Sequence, residues 1–280
     1  DKDYQLKSTI EDNQYFCFQL MEKIGSPDQY IQKIYKILEN DIKVQYDFMR
    51  EIVFLTTMQG SGMPFADLEY FSIYSKTRTT YSTMTKYMKS HTLQSAIDSR
   101  PSEHPMDLFT SWDRSVNHQP ELDGTTAPTL NDTSTMKIIY GVAFGLSYMH
   151  KNQIVHGNIC PESILLDNKC NPLLSDFIFV KDIIMSDHFL ENVDKKFLVY
   201  SAPELVVNRT LDIKSDVYSF AVVTLQLLYP NFKYNKKINP FTVRQEKLIE
   251  FIKSNDIYDV PDFLPPEFSE LLVKSLSHNP

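Results

Sequence analysis

The stretch IVHGNICPESILLDNKCNPLLSDF, residues 154–177, decides how the rest of the chain is read. It runs from a short apolar lead-in through a polar kink to Ile164-Leu165-Leu166, and ends on Ser175-Asp176-Phe177. Apolar anchors on both sides of a polar kink hold side chains in a fixed place. Whether those side chains react depends on their identity and on what flanks them.

The flanking chain is long enough for a sizeable core. Its 280 residues allow one large domain or two smaller ones, and 42% hydrophobic with 23% charged residues is ordinary for a globular protein. The net charge of −8 is spread along the chain, which argues against nucleic acid as a partner. Cys17, Cys160 and Cys170 have neither disulfide-framework numbers nor zinc spacing, so a reducing, cytoplasmic setting is expected. No apolar run approaches the roughly 18 residues of a membrane helix, and no signal peptide leads the chain. The absence of an initial Met and the stop at Asn279-Pro280 read as a segment of something longer.

Upstream, Tyr15–Glu22 and Gln29–Lys36 are rich in aromatic and branched residues, and Gly25-Ser26-Pro27-Asp28 between them is turn chemistry, so a hairpin is expected. Val44, Phe48, Ile52 and Leu55 fall at helical spacing within 43–58. Strand-like runs at 68–75 and 81–88 complete a small strand-rich lobe with one helix. Residues 98–130 turn polar, carry Pro101, Pro105, Pro120 and Pro128, and read as a loop insert. A capped helix over 131–151 follows, then helices over 215–228, 244–253 and 266–276. The expected class is α+β: a small strand-rich lobe to residue 88, then a larger, mainly helical lobe over 89–280.

This order, with its motifs, resembles a protein kinase domain from end to end. His156-Gly157-Asn158-Ile159-Cys160-Pro161-Glu162-Ser163 sits in the register of H-R-D-L-x-x-x-N, Asp176-Phe177-Ile178 in that of D-F-G, and Ala202-Pro203-Glu204 matches A-P-E. Lys214–Phe220 resembles the buried helix of the tyrosine-kinase and tyrosine-kinase-like groups, with Asp216 capping the catalytic-loop backbone. Lys33 in Tyr30-Ile31-Gln32-Lys33 aligns with the Lys of V-A-I-K, and Glu51 with the helix Glu of its ion pair. Met84-Thr85-Lys86-Tyr87-Met88 resembles the last strand and hinge, with Thr85 as gatekeeper. The family's final helix, whose Arg would pair with Glu204, lies beyond this segment.

The departures from the family pattern fall on the reacting groups. The Gly-rich loop aligns with Ile10–Gln19, where Glu11, Asn13 and Phe16 replace all three glycines. Bulk and negative charge then stand where glycine N–H groups would cradle phosphates. Phe18 and Ile31 are larger than the Val and Ala that flank adenine in the family, and together with Leu165 they are expected to fill the purine slot. Asn158 cannot accept the proton that the catalytic Asp takes, a role worth about 10²–10⁴ in rate. Ser163 replaces the Asn that holds the second Mg²⁺, leaving Asp176 as the remaining metal ligand. Gly157 removes the Arg that reads a phosphorylated activation segment, in which Ser186 and Tyr200 are candidate modification sites.

The resemblance therefore implies a pseudokinase: a protein-interaction or allosteric module that needs no cofactor and whose partners are other domains of a longer chain or a signalling protein. His156, Phe177, Glu204 and Asp216 stay as structure, and Lys33 with Glu51 as a surface-lobe ion pair. His-Gly-Asn followed by Cys also resembles the pseudokinase domains of Janus kinases, some of which bind ATP. ATP binding with Mg²⁺, with or without divergent phosphotransfer, stands as the alternative.

Overall fold

The protein is described by a computed structural model covering residues 3–12, 16–35, 42–75, 79–86, 92–99, 129–175, 177, 195–229, 244–254, 258, 260–261 and 264–277. Five antiparallel strands form the first lobe: β1 (Tyr4–Asp12), β2 (Phe16–Lys23), β3 (Gln29–Tyr35), β4 (Leu68–Ser75) and β5 (Thr79–Lys86), in spatial order β1-β2-β3-β5-β4. The β2–β3 turn uses Gly25 at φ +83°, a left-handed conformation that favours glycine. Helix α1 (Ile42–Met58) covers one face, and its Phe48 meets Tyr35 edge-on at 5.4 Å and Tyr81 at 5.0 Å. Strand alternation puts Ile31, Lys33 and Tyr35 of β3 on this same side.

The second lobe is built on two long helices. In α3 (Asp132–Lys151), the Ser134 N–H donates to Asn131 Oδ1 at 2.8 Å and the Asn131 N–H donates to Ser134 Oγ at 2.8 Å, a reciprocal cap that fixes the start. In α6 (Ile213–Leu228), Asp212 accepts from the N–H groups of Lys214 at 2.8 Å and Ser215 at 3.3 Å, so the helix begins two residues before the expected Ser215. Shorter helices α2 (Leu93–Asp98), α4 (Lys195–Tyr200) and α5 (Pro203–Asn208), with α7 (Gln245–Ser254) and α8 (Pro266–Ser275), accompany them among the described residues. The expected insert begins within α2, and its residues 100–128 lie outside the described residues.

The opening stretch of sequence forms a 3₁₀ turn, Pro161–Ser163, followed by the hairpin β6 (Ile164–Leu166) and β7 (Pro172–Leu174). The first lobe joins this hairpin directly. Ala66 N–H donates to the Leu174 carbonyl at 2.9 Å and Leu174 N–H to the Pro64 carbonyl at 2.7 Å, so Phe65 forms an isolated parallel bridge with Leu174 of β7. The underside of β7 rests on α3, where Gly141 and Gly145 leave room. A Cβ at Gly141 would stand 2.4 Å from Pro172 Cγ, and one at Gly145 would stand 2.9 Å from both Leu174 Cδ1 and Pro64 Cγ. Gly141→Ala is therefore expected to lower stability by about 1–3 kcal/mol, the usual cost of overpacking, read as a lower urea midpoint with unchanged slope.

Candidate functional site

Lys33 and Glu51 are buried at 7% and 5% exposure, which corrects the expectation of a surface ion pair. The Lys33 ammonium stands 3.2 Å from Glu51 Oε2, donates to the Phe177 backbone carbonyl at 3.0 Å, and lies 4.8 Å from the centre of the Tyr35 ring. Tyr35 donates its hydroxyl to the same Glu51 oxygen, and the Thr83 hydroxyl donates to Oε1 at 3.3 Å. Burying two ions costs several kcal/mol each unless their hydrogen-bonding capacity is met, and here side chains and one carbonyl meet it. The lysine is thus tied into the protein by a helix, a strand and the chain of the second lobe.

The catalytic-loop stretch is organised from below by Asp216, which is 1% exposed. Its carboxylate accepts from the backbone N–H of His156 and of Gly157, each at 2.8 Å, and lies 2.9 Å from His150 Nε2. Gly157 turns through φ +78°, where a side chain such as arginine would be strained. Ser163 is fully buried and its hydroxyl faces inward: Oγ is 2.7 Å from the Asn158 carbonyl and 3.0 Å from the Cys160 carbonyl, and accepts from Cys160 N–H at 3.1 Å. The Ser163 carbonyl in turn accepts from both the N–H and the hydroxyl of Ser175, each at 2.9 Å.

His156 is fully buried and packs on Phe177, with ring centres 4.6 Å apart. Its Nδ1 accepts from Asn158 N–H at 3.3 Å; its Nε2 meets no partner in hydrogen-bond geometry among the described residues, although the Ser175 backbone is close enough to favour the charged form. Burial dominates and holds its pKa at about 4, against the opposing pull of Asp216. Between about 4 and the ordinary 6.5 the unfolded chain binds more protons than the folded one, so stability rises with pH in that window. The contribution is complete above about pH 6.5 and lost as pH falls towards 4, on the order of 3 kcal/mol in total. Urea midpoints measured from pH 7 to 4.5 are expected to fall more steeply for the parent than for His156→Gln; parallel curves would contradict this.

The fold and this loop are those of the protein kinases, and a comparison with protein-family profiles agrees: the protein tyrosine and serine/threonine kinase family matches residues 22–280. The chain belongs to that family. Among curated proteins of Arabidopsis thaliana, this kinase domain is 35% identical over 111 residues to the protein named SUPPRESSOR OF NPR1-1 CONSTITUTIVE 4, a match covering 38% of the chain and 10% of the relative. It is 35% identical over 108 residues to cysteine-rich receptor-like protein kinase 42, covering 38% and 17%, and 41% identical over 113 residues to proline-rich receptor-like protein kinase PERK2, covering 38% and 15%. The matched stretch thus spans less than a fifth of each of these relatives.

Other kinase positions fall as follows. Glu11 and Phe16 are strand residues, paired with Phe18 and Tyr35, so the segment aligned with the Gly-rich loop is largely two strands. Phe18 is half-buried against the main core, Ile31 is half-buried, and Leu165 is buried at 9% exposure. Thr85 pairs with Ile31 in the sheet, while exposed Lys86 turns outward to Asp28 at 3.6 Å. Glu204 has a partner within this segment, since the Ser215 hydroxyl donates to it at 3.1 Å. Tyr200 is 3% exposed and donates to Gln226 Oε1 at 2.7 Å, and burial pushes its pKa well above the ordinary value. Asn13, Met88, Asp176, Ile178 and Ser186 lie outside the described residues. Tyr35, Thr83 and His150 escaped the sequence reading; for Tyr35 the available signal was its place two residues after Lys33 on one strand face.

No helix among the described residues is long and apolar enough to cross a membrane. No group of three or more His, Cys, Asp or Glu among them is placed to hold a metal ion.

Proposed function

We propose that this kinase domain, spanning 1–280 with its hinge near residue 88, is a pseudokinase of the tyrosine-kinase-like type, acting as a protein-interaction or allosteric module. The observation that carries this reading is Ser163. At the position aligned with the metal-holding Asn, its single hydroxyl is spent on the Asn158 and Cys160 backbone, so it offers the second Mg²⁺ nothing without dismantling the loop. Asn158 beside it carries an amide, which takes no proton at neutral pH. The run Lys214–Phe220 supports the group assignment, and its Asp216 holds the loop's shape without needing a substrate. Signalling proteins or other domains of a longer chain are the proposed partners. A cytoplasmic setting is proposed on the three cysteines, whose number and spacing fit neither a disulfide framework nor a zinc site.

A second reading, nucleotide binding with or without weak transfer, is favoured by the retained Lys33–Glu51 pair at 3.2 Å. ATP and Mg²⁺ would be its ligands. A phosphotransfer assay on generic protein substrates separates the two readings. The parent is expected to be inactive, and Asn158→Asp combined with Ser163→Asn is expected to stay inactive because Glu11, Asn13 and Phe16 remain in the first lobe. Turnover by that double variant, abolished by Lys33→Ala, would overturn the pseudokinase reading.

A further inference from the structure

We propose that the Tyr35 hydroxyl is a latch that fixes α1 against the sheet and, through Glu51 and Lys33, holds the Phe177 backbone in place with no ligand in the cleft. The inference rests on the ligand-free reading of the site and adds the device that makes it possible.

Three donors converge on one carboxylate of α1. Lys33 and Tyr35 share Glu51 Oε2, and Thr83 takes Oε1, so β3 and β5 together grip the helix at a single buried point. Tyr35 is 3% exposed, and its ring also packs edge-on against Phe48 of α1. A hydroxyl donating to a buried carboxylate is among the stronger hydrogen bonds available, because the low surrounding polarity leaves no water to replace it.

The same helix reaches the second lobe. Phe54 of α1 meets Phe65 edge-on at 4.9 Å and Phe177 at 5.5 Å, while the Phe177 carbonyl accepts from Lys33. The chain Tyr35, Glu51, Lys33, Phe177 therefore runs from the centre of the sheet to the strand end of the catalytic-loop stretch. If the Lys33 ammonium alone held Glu51, any anion entering the cleft would compete for that ammonium and loosen the helix. With Tyr35 and Thr83 also donating, Glu51 keeps two partners whatever Lys33 does. The position of α1 is thereby made independent of cleft occupancy, and the domain presents one constant shape.

Amide hydrogen exchange on the full chain tests this, comparing parent, Tyr35→Phe, Glu51→Ala and the double variant. Tyr35→Phe keeps the ring and its contacts and removes only the hydroxyl. Exchange in α1 is expected to quicken about tenfold or more, the factor set by losing a hydrogen bond to a charged acceptor, with α3 and α6 unchanged. The double variant is expected to exchange no faster in α1 than Glu51→Ala alone, since without the carboxylate the Tyr35 hydroxyl has no role left at this point. Unchanged exchange in α1 overturns the latch, and so does a uniform rise across all helices. Protection of β2 and β3 by added ATP and Mg²⁺ would instead refute the ligand-free reading, which is a separate outcome from the Tyr35→Phe comparison.

Discussion

Asp216→Ala is expected to destabilise the domain by roughly 2–6 kcal/mol, enough to leave much of it unfolded at 37 °C. The carboxylate is 1% exposed and supplies the acceptor for the His156 and Gly157 N–H groups. Removing it leaves two buried donors unmet, at about 1–3 kcal/mol each. His150 loses its partner as well. Asp216→Asn keeps one acceptor oxygen and should lose less. Urea denaturation of the three proteins at pH 7 checks the order parent, Asn, Ala; an Ala variant within 1 kcal/mol of the parent would mean that the loop finds other acceptors.

Glu51→Ala is expected to cost about 3–5 kcal/mol, the range for breaking a buried ion pair by removing one partner. It takes the carboxylate away from the Lys33 ammonium at 7% exposure and removes this acceptor from the Tyr35 and Thr83 hydroxyls. Lys33→Met should cost less, because Glu51 would still accept from those two hydroxyls. In a domain where the pair served only to orient a nucleotide, both variants would melt close to the parent in the absence of ligand. The asymmetry between them, measured by chemical denaturation without nucleotide, distinguishes a structural pair from a catalytic one.

Much of this architecture could be read before any coordinates because local chemistry and global fold agree at its main elements. The Gly25-Ser26-Pro27-Asp28 turn joins β2 to β3, Asn131 caps α3, and the apolar spacing of 43–58 becomes α1. What was hidden depends on tertiary placement. Lys33 and Glu51 look like surface charges in a strand and a helix, and the packing of α1 on the sheet, with Phe48 against Tyr35 and Tyr81, brings them together out of water. Tyr35 reads as one more strand aromatic until α1 brings a carboxylate to its hydroxyl. Ser163 reads as a lost metal ligand, while its inward bonds to Asn158 and Cys160 become visible only once the 3₁₀ turn is formed. The helices α4 and α5 span six residues each, too short for a periodic pattern to reveal them.

The central claim, that the cleft is held together by side chains and not by nucleotide, is tested most directly by thermal unfolding of the chain with and without ATP and Mg²⁺. A ligand present at 100 times its dissociation constant stabilises a fold by roughly 2.7 kcal/mol, a shift that melting resolves easily. The account predicts the same melting temperature at every nucleotide concentration. A saturable rise that requires Mg²⁺ would contradict it.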